Sequence, residues 1–278
     1  MFCMAWSLIP ADVHSVTMFL LLGGLSAMII SAAKAGFGGT IGVLSFPIMV
    51  YACSGNTMLA AGTMLPLLVA ADLVALASWW RKWNGRAAWM LLPGALAGIA
   101  AGAAVLWVLR HLDRAAAGAA ANAALMLIVG VISLGFVVLQ VLTVLRGRVL
   151  AFRPVPWQGA AVGAAAGVTS TLAHAAGPVA TMYLLPQQMP KGTYVATTVL
   201  LFTVINQVKL VPYIALGLIN PATLGAGLVL LPAVLIGAVA GLKLHSRVDP
   251  KQFIAVVYIL LTLTGAHMTY TGLAALLR

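Results

Sequence analysis

Long apolar runs divide this chain into ten segments, separated by short breaks of charged residues, Pro or Gly. The segments are Ser15–Ala33, Phe37–Cys53, Thr57–Trp80, Ala87–Leu109, Gly118–Leu145, Trp157–Thr171, Ala176–Pro186, Thr193–Leu218, Ala222–Leu244 and Lys251–Leu277. A helix needs about 20 apolar residues to cross a hydrocarbon core of about 30 Å. Because most segments reach that length, the pattern predicts an all-α polytopic membrane protein, with residues 1–278 as a single transmembrane domain.

Two of the segments, Trp157–Thr171 and Ala176–Pro186, are short for full crossings. The stretches Lys34–Thr40 and His174–Pro178 are rich in residues that break helices. Each of these stretches joins two apolar segments. Each joined pair is therefore either two tilted crossings or a re-entrant hairpin that enters the membrane part-way.

Composition supports the membrane assignment. Of 278 residues, 63% are hydrophobic and 7% are charged, whereas soluble domains have about 25% charged residues. The net charge is +11, from 15 Lys and Arg against 4 Asp and Glu. In a soluble chain this excess would suggest nucleic acid, but basic loops between membrane spans explain it here, and we expect no nucleic-acid partner.

The basic residues favour one side of the membrane. With the ten segments alternating, one side holds Lys34, Arg81, Lys82, Arg86, Arg146, Arg148, Arg153, Lys191, Lys243, Arg247 and Lys251. The other side holds Arg110, Arg114 and Arg278, and Lys209 lies inside a span. Because basic loops mark the cytoplasmic side, we predict a multi-pass protein of the inner (plasma) membrane with both termini outside.

The two halves of the chain repeat one another. The matched positions are Pro93 with Pro232, Gly98 with Gly237, Gly102 with Gly241, Asp72 with Asn206, Thr63 with Thr197, and Gly38-Gly39-Thr40 with Ala176-Gly177-Pro178. Residues 15–145 form the first predicted repeat and residues 157–277 the second. Since five segments is an odd number, the second copy must be inverted. Inverted repeats with interrupted helices are typical of secondary transporters.

Two motifs at the glycine breaks resemble those of a known family. The first is Lys34-Ala-Gly-Phe-Gly-Gly-Thr40, followed by Pro47. The second is Thr169-Ser-Thr-Leu-Ala-His-Ala-Ala-Gly-Pro178, followed by Tyr183-Leu-Leu, Thr197-Thr198 and Asn206. Both are similar to motifs of the sulfite exporter TauE/SafE family, and the likeness runs from about Gly23 to Gly272.

This resemblance implies an integral membrane permease for sulfur-containing anions such as sulfite, sulfonates or sulfoacetate. Many members of the family have no known substrate. The second motif reads His-Ala-Ala-Gly-Pro rather than a full Gly-Gly-Gly, and this bulkier turn departs from the family pattern. The resemblance therefore indicates the class of protein better than the identity of its substrate.

The glycine breaks are candidate anion sites. Gly36, Gly38 and Gly39 would leave backbone N–H groups accessible at the N-terminus of a following half-helix, where the helix dipole favours an anion. Gly177 precedes a short helix in the corresponding place of the second half. The alternative is that these glycines only permit tight turns and close packing.

Four ionisable residues are the other candidates. Lys34 and Lys209 could supply positive charge, or they could snorkel to the membrane interface. Asp72 could pair with Lys209 or bind a coupling proton, or it could be a structural hydrogen-bonded acid. His174 could bind an anion or relay a proton, or it could be a packed hydrogen-bond donor.

The predicted substrate-binding residues combine these groups with polar side chains that can donate hydrogen bonds to sulfur oxyanions. They are Lys34, Gly36, Gly38, Gly39, Thr40, His174, Gly177, Thr197, Thr198, Asn206 and Lys209, with Asp72 as the coupling candidate. We predict no catalytic residue, metal ligand or cofactor, and Cys3 and Cys53 form no disulfide framework.

These residues are compatible with three functions. A secondary transporter of a small sulfur anion is favoured, and the lack of a Gly-x4-Gly-Lys-Ser/Thr loop argues against ATP as its direct driver. A passive anion channel is the first alternative. An intramembrane enzyme built on Ser170 and His174 is the second, but no acidic residue accompanies that pair to orient it. The expected partners are the anion and membrane lipid, and the oligomeric state, a homo-oligomer included, stays open.

Overall fold

The computed structural model describes residues 9–10, 13–116, 119–145, 155–245 and 250–277. These residues form ten α-helices. They are α1 (Val16–Phe37), α2 (Ser45–Ala52), α3 (Thr57–Ser78), α4 (Gly85–Ala116), α5 (Ala119–Leu145), α6 (Pro156–Ala173), α7 (Ala176–Leu184), α8 (Lys191–Ala215), α9 (Pro221–Leu244) and α10 (Pro250–Leu276). Short 3-10 helices lie at Thr40–Leu44 and Leu185–Gln187, and α1 contains a π-helical turn at Phe19–Gly23.

Each of the ten predicted apolar segments coincides with most of one of these helices or encloses it, so the all-α prediction is confirmed for the described residues. Among the described residues, six helices are long and apolar enough to cross a membrane: Val16–Phe37, Thr57–Ser78, Gly85–His111, Ala120–Leu139, Lys191–Ala215 and Pro221–Leu244. In contrast, α2 has 8 residues and α7 has 9. At a rise of about 1.5 Å per residue, neither is long enough to cross alone.

The two short helices each return alongside the helix that precedes them. In the first half, Ser26 Oγ donates a hydrogen bond to Ser45 O at 2.7 Å, and His14 N donates to Ser54 Oγ at 3.0 Å. In the second half, Tyr183 Oη on α7 donates to the carbonyl oxygen of Val155 at 3.4 Å, just before α6. Each pair of helices is therefore an antiparallel hairpin.

Two glycine-lined interfaces join the halves of the chain: α4 packs against α6, and α9 packs against α1. A Cβ atom added at Gly98 would lie 2.1 Å from Ala164 O, and one added at Gly237 would lie 2.4 Å from Met28 O. Only a residue without a side chain allows the backbones to approach this closely. The 27-residue helices α5 and α10 pack against each other.

Several helix ends meet at one end of the bundle. The rings of Trp79 and His245 are 5.2 Å apart, and Lys191 Nζ donates to His245 O. His245 Nδ1 lies 2.5 Å from Gly36 O. The ends of α1, α3 and α9 and the beginning of α8 are therefore level with one another.

Some basic residues used for the sidedness prediction cannot be placed. Arg146, Arg148, Arg153, Arg247 and Arg278 lie outside the described residues, as does Cys3, and the side chains of Arg114 and Lys251 are likewise not described. Cys53 is a buried free thiol.

Candidate functional site

The site begins where α1 and α6 end. Gly38 closes α1 in the left-handed conformation at φ 65°, and Gly39 N donates to Ala33 O at 2.9 Å. His174 closes α6 in the same conformation at φ 50°, and Ala175 N donates to Thr169 O at 3.2 Å. At both ends, the residue after the left-handed one donates its N–H group to a carbonyl oxygen six positions earlier, which caps the helix.

The left-handed position is occupied differently in the two halves. Glycine adopts this conformation without steric cost. A non-glycine residue there is uncommon, although His is among the types enriched in it. The predicted second glycine turn is therefore a histidine turn, and Gly177 lies three residues further on, within α7.

The prediction that Gly36, Gly38 and Gly39 offer free N–H groups to an anion is wrong for this turn. The N–H groups of Gly38 and Gly39 both donate to Ala33 O, and Gly36 lies within α1. These glycines instead allow close packing. A Cβ atom at Gly39 would lie 2.6 Å from the Phe202 ring, and one at Gly38 would lie 2.7 Å from Thr198 Oγ1.

A first polar cluster, which we call the Lys34 cluster, consists of Lys34, Asp72 and Asn206. Lys34 Nζ lies 2.5 Å from Asp72 Oδ1, and Asn206 Nδ2 donates to Asp72 Oδ2 at 2.6 Å. The side chains of Lys34 and Asp72 are 4% and 0% exposed. Both carboxylate oxygens thus have a donor, as a buried anion requires.

This cluster corrects two predictions. Lys34 is buried inside the bundle, so it is neither a cytoplasmic loop residue nor a snorkelling one, and it does not belong in the count of basic residues on that side. Asp72 pairs with Lys34 rather than with Lys209. The reason is that Lys34 lies in the last turn of α1, three residues before Phe37, where its side chain faces α3.

A second polar cluster, the Lys209 cluster, consists of Lys209, Ser170 and His174. Lys209 Nζ lies 3.0 Å from Ser170 O, 3.0 Å from Ser170 Oγ and 3.0 Å from His174 Nδ1. Lys209 is 0% exposed, which rules out snorkelling. Because an ammonium group only donates, His174 Nδ1 accepts, and His174 Nε2 donates to Ala61 O at 3.3 Å. These partners assign His174 as the neutral Nε2–H tautomer.

Aromatic rings enclose the Lys209 cluster. The Phe46 ring meets the His174 ring edge-on at a centroid distance of 5.0 Å. Lys209 Nζ lies 5.8 Å from the centroid of Tyr213, whose hydroxyl donates to Thr171 O at 2.7 Å. A cation within about 6 Å of a ring centroid is attracted to the ring face. The Lys209 charge is therefore surrounded by neutral groups.

A small cavity of about 20 Å³ lies between the two turns. Its lining residues are Ile30, Lys34, Gly39, Leu68, Ser170, His174, Ala176, Gly177, Phe202 and Asn206. A space of roughly 10–15 Å³ on this measure holds one water molecule. The polar lining comes from both clusters, while Asp72 and Lys209 stand behind it.

Sequence reasoning and the structure agree on part of this lining. Lys34, Gly39, His174, Gly177 and Asn206 were predicted and are present. Ser170 was considered only as part of an enzyme, yet its position four residues before His174 was the signal that it shares a helix face with it. Phe46 and Tyr213 were not singled out by the sequence.

The predicted threonines have other partners. Thr197 Oγ1 accepts from Asn84 N at 2.9 Å and donates to Thr193 O at 2.6 Å. Thr198 Oγ1 donates to Val195 O at 2.8 Å. Neither threonine lines the cavity, and the side chain of Thr40 lies outside the described residues.

Comparison with known proteins identifies the class of this chain. No curated protein and no solved structure matches it. The family described as sulfite exporter TauE/SafE matches residues 20–268, which include both turns and both clusters. Members of this family are membrane transporters rather than enzymes. The described residues form ten helices, six of them of membrane length, and the family matches most of the chain. This multi-pass chain therefore belongs to the TauE/SafE sulfite exporter family.

Proposed function

We propose that this transporter carries small sulfur oxyanions, such as sulfite or organosulfonates, across the inner membrane, and that the cavity between the two turns is the substrate site. The observation that carries the proposal is the charge around this cavity. Lys34 and Lys209 contribute two positive charges, Asp72 contributes one negative charge, and His174 is neutral. One positive charge is left over among the described residues of the two clusters.

The lining suits an oxyanion. An anion in a low-dielectric interior needs a compensating charge and hydrogen-bond donors. Lys34 Nζ supplies a charged donor, and Asn206 Nδ2 supplies a neutral one. Ser170 Oγ accepts from Lys209 and keeps one proton of its own to donate. Three donors around one small space match the three oxygens of sulfite.

A carrier requires that the site change shape. The cavity has room for about one water molecule, and sulfite has four heavy atoms. Binding therefore has to separate the two turns. Two hairpins that meet tip to tip are well placed for such a movement, because each belongs to a different half of the chain.

We further propose that the chain is an inverted repeat, with residues 15–145 and 157–277 as its units. The pairing of helices is reciprocal: α1 of the first half packs on α9 of the second, and α6 of the second half packs on α4 of the first. Both α1 and α6 end at a left-handed residue, and Pro93 and Pro232 lie inside α4 and α9. Alternating access then moves one repeat against the other around the site.

The proposed orientation places the basic end of the bundle in the cytoplasm. Arg81, Lys82, Arg86 and Lys191 lie at or next to the helix ends that meet around Trp79 and His245. Arg110 lies beside Gly217, at the end of α8 opposite Lys191. Under the positive-inside rule, both termini then face outward.

The test is uptake of radiolabelled sulfite by liposomes that contain the purified protein. We expect saturable uptake that unlabelled methanesulfonate inhibits and that empty liposomes lack. Asn206→Ala should lower the uptake, whereas Ser78→Ala should not, because Ser78 Oγ bonds Val74 O on its own helix away from the cavity. Uptake that never saturates would indicate an anion channel rather than a carrier. A protein that takes up none of the sulfur oxyanions would refute the proposal.

A further inference from the structure

Asp72 is paired with the positive charge that a substrate anion would need, that of Lys34. Its Oδ1 lies 2.5 Å from Lys34 Nζ, and its Oδ2 accepts from Asn206 at 2.6 Å. Lys34 and Asn206 both line the cavity, whereas Asp72 stands behind them. The same two side chains that face the cavity are therefore held by a carboxylate that is completely buried.

An anion in the cavity would place a second negative charge against Lys34. Two buried anions cannot share one ammonium group without a large cost, because like charges at short range disfavour ionisation of at least one of them. A sulfonate is the anion of a strong acid and keeps its charge. The carboxylate of Asp72 is the group that can be neutralised.

From this geometry we infer that Asp72 is an internal counter-ion, which the substrate anion replaces at Lys34 while Asp72 takes up one proton. The inference rests on the proposed function and specifies how the site is coupled. A proton from water forms an O–H bond with the Asp72 carboxylate, and the Lys34–Asp72 ion pair separates. Lys34 keeps its three protons and pairs with the anion. One anion and one proton thus enter the site together, and its charge is unchanged.

The surroundings of Asp72 fit this exchange. The charged groups that face it are Lys34 on α1 and Lys209 on α8, and α9 adds none among the described residues. His174 on α6 faces Lys209 and is neutral. A proton on His174 Nδ1 would place a second cation 3.0 Å from Lys209 Nζ. With both lysines charged, Asp72 is therefore the group of the two clusters that accepts the proton.

Infrared difference spectroscopy tests the inference directly. The chain has four acidic side chains, all of them Asp, and neither sulfite nor methanesulfonate contains a carboxyl group. Adding either anion to the reconstituted protein should produce the carbonyl band of a protonated carboxyl group. Asp72→Asn should abolish this band, and Asp113→Asn, a control in α4, should leave it. Asp72→Glu keeps a carboxyl group and should shift the band, which assigns it without removing the acid.

Accumulation of methanesulfonate provides a second measurement. With the membrane potential clamped at zero, an inward gradient of one pH unit should drive about tenfold accumulation if one proton accompanies each anion. Asp72→Asn should equilibrate methanesulfonate with no accumulation. Saturable flux without the carboxyl band or without accumulation would overturn the inference and leave the proposed function standing. Failure of the wild-type protein to move any sulfur oxyanion would overturn both.

Discussion

The two polar clusters occupy corresponding places in the two halves of the chain, but their charges are arranged in opposite ways. Lys34 and Ser170 each lie four residues before the left-handed residue that closes a helix. In the first half, the cation is on this helix and its partner, Asp72, is on α3. In the second half, the acceptors are on this helix and the cation, Lys209, is on α8.

The difference lies in what balances each cation. Lys34 is paired with a carboxylate at 2.5 Å, so the Lys34 cluster is neutral as a unit. Lys209 Nζ has a carbonyl oxygen, a hydroxyl oxygen and an imidazole nitrogen as its hydrogen-bond partners among the described residues, with an aromatic ring beside it. On the proposed mechanism, the Lys209 cluster attracts the substrate anion, while the Lys34 cluster holds Asp72 as its own anion until the substrate replaces it.

The largest effect should follow from breaking the ion pair. Lys34→Met leaves Asp72 buried, with Asn206 as its remaining hydrogen-bond donor among the described residues. Removing one partner of a buried pair costs about 3–5 kcal/mol. We expect the free energy of unfolding, measured by denaturation in detergent micelles, to fall by that amount.

A double variant provides the control for this loss. Lys34→Met combined with Asp72→Asn removes both charges, and it should recover most of the lost stability, because replacing an entire buried pair is often neutral. If Lys34→Met is as stable as the wild-type protein, the Lys34 cluster is not held by its ion pair and the comparison fails.

The second effect separates transport from stability. Lys209→Met removes a buried charge without leaving an opposite charge behind, and methionine has a similar length and an unbranched side chain. We expect sulfite uptake at low concentration to fall about 30-fold, equivalent to about 2 kcal/mol, since the unbalanced positive charge is lost. The loss of unfolding free energy should be smaller than for Lys34→Met, because only neutral acceptors lose a donor.

Both quantities are needed to judge this variant. Uptake in liposomes measures the attraction of the anion, and denaturation in micelles measures the fold. Uptake that persists in Lys209→Met would show that Lys34 alone binds the anion. A stability loss as large as that of Lys34→Met would show that Lys209 has a charged partner after all.

The helices could be predicted from the sequence because a membrane span requires a long run of apolar residues. Every backbone polar group in hydrocarbon must be bonded internally, so runs such as Thr57–Trp80 and Ala222–Leu244 had to be helices, and the observed bounds differ by a few residues. The recurring Pro and Gly positions lie in α4 and α9, which form the two glycine-lined interfaces. The shortness of α2 could not be read from Phe37–Cys53, because its apolar run continues through the 3-10 helix.

The sequence singled out residues of both polar clusters but did not predict the contacts between them. Lys34, Asp72, Asn206 and Lys209 could be singled out because ionisable and amide groups are rare in apolar segments. Which lysine pairs with Asp72 depends on the rotation of α1 and α8, which periodicity does not fix. The predicted role of the glycines was wrong because the left-handed turn at Gly38 uses the N–H groups that a helix N-terminus would have left free.

The smallest effect concerns the one hydroxyl group that links the Lys209 cluster to the cavity. Ser170→Ala removes Oγ, which accepts from Lys209 and can donate to an anion, but it leaves Ser170 O and His174 in place. A single hydrogen bond contributes about 1 kcal/mol, so the apparent affinity for sulfite should weaken about fivefold. Concentration-dependent uptake in liposomes measures this change, while the maximal rate should alter less.

Thr169→Ala is the matched control, since Thr169 is adjacent on α6 but its hydroxyl donates to Ala165 O within the helix. Its affinity for sulfite should equal that of the wild-type protein. Equal affinities in Ser170→Ala and Thr169→Ala would mean that the anion does not reach Ser170. The positive charge of Lys209 would then act on it only from a distance, and the difference between the two clusters would be one of electrostatics rather than of contact.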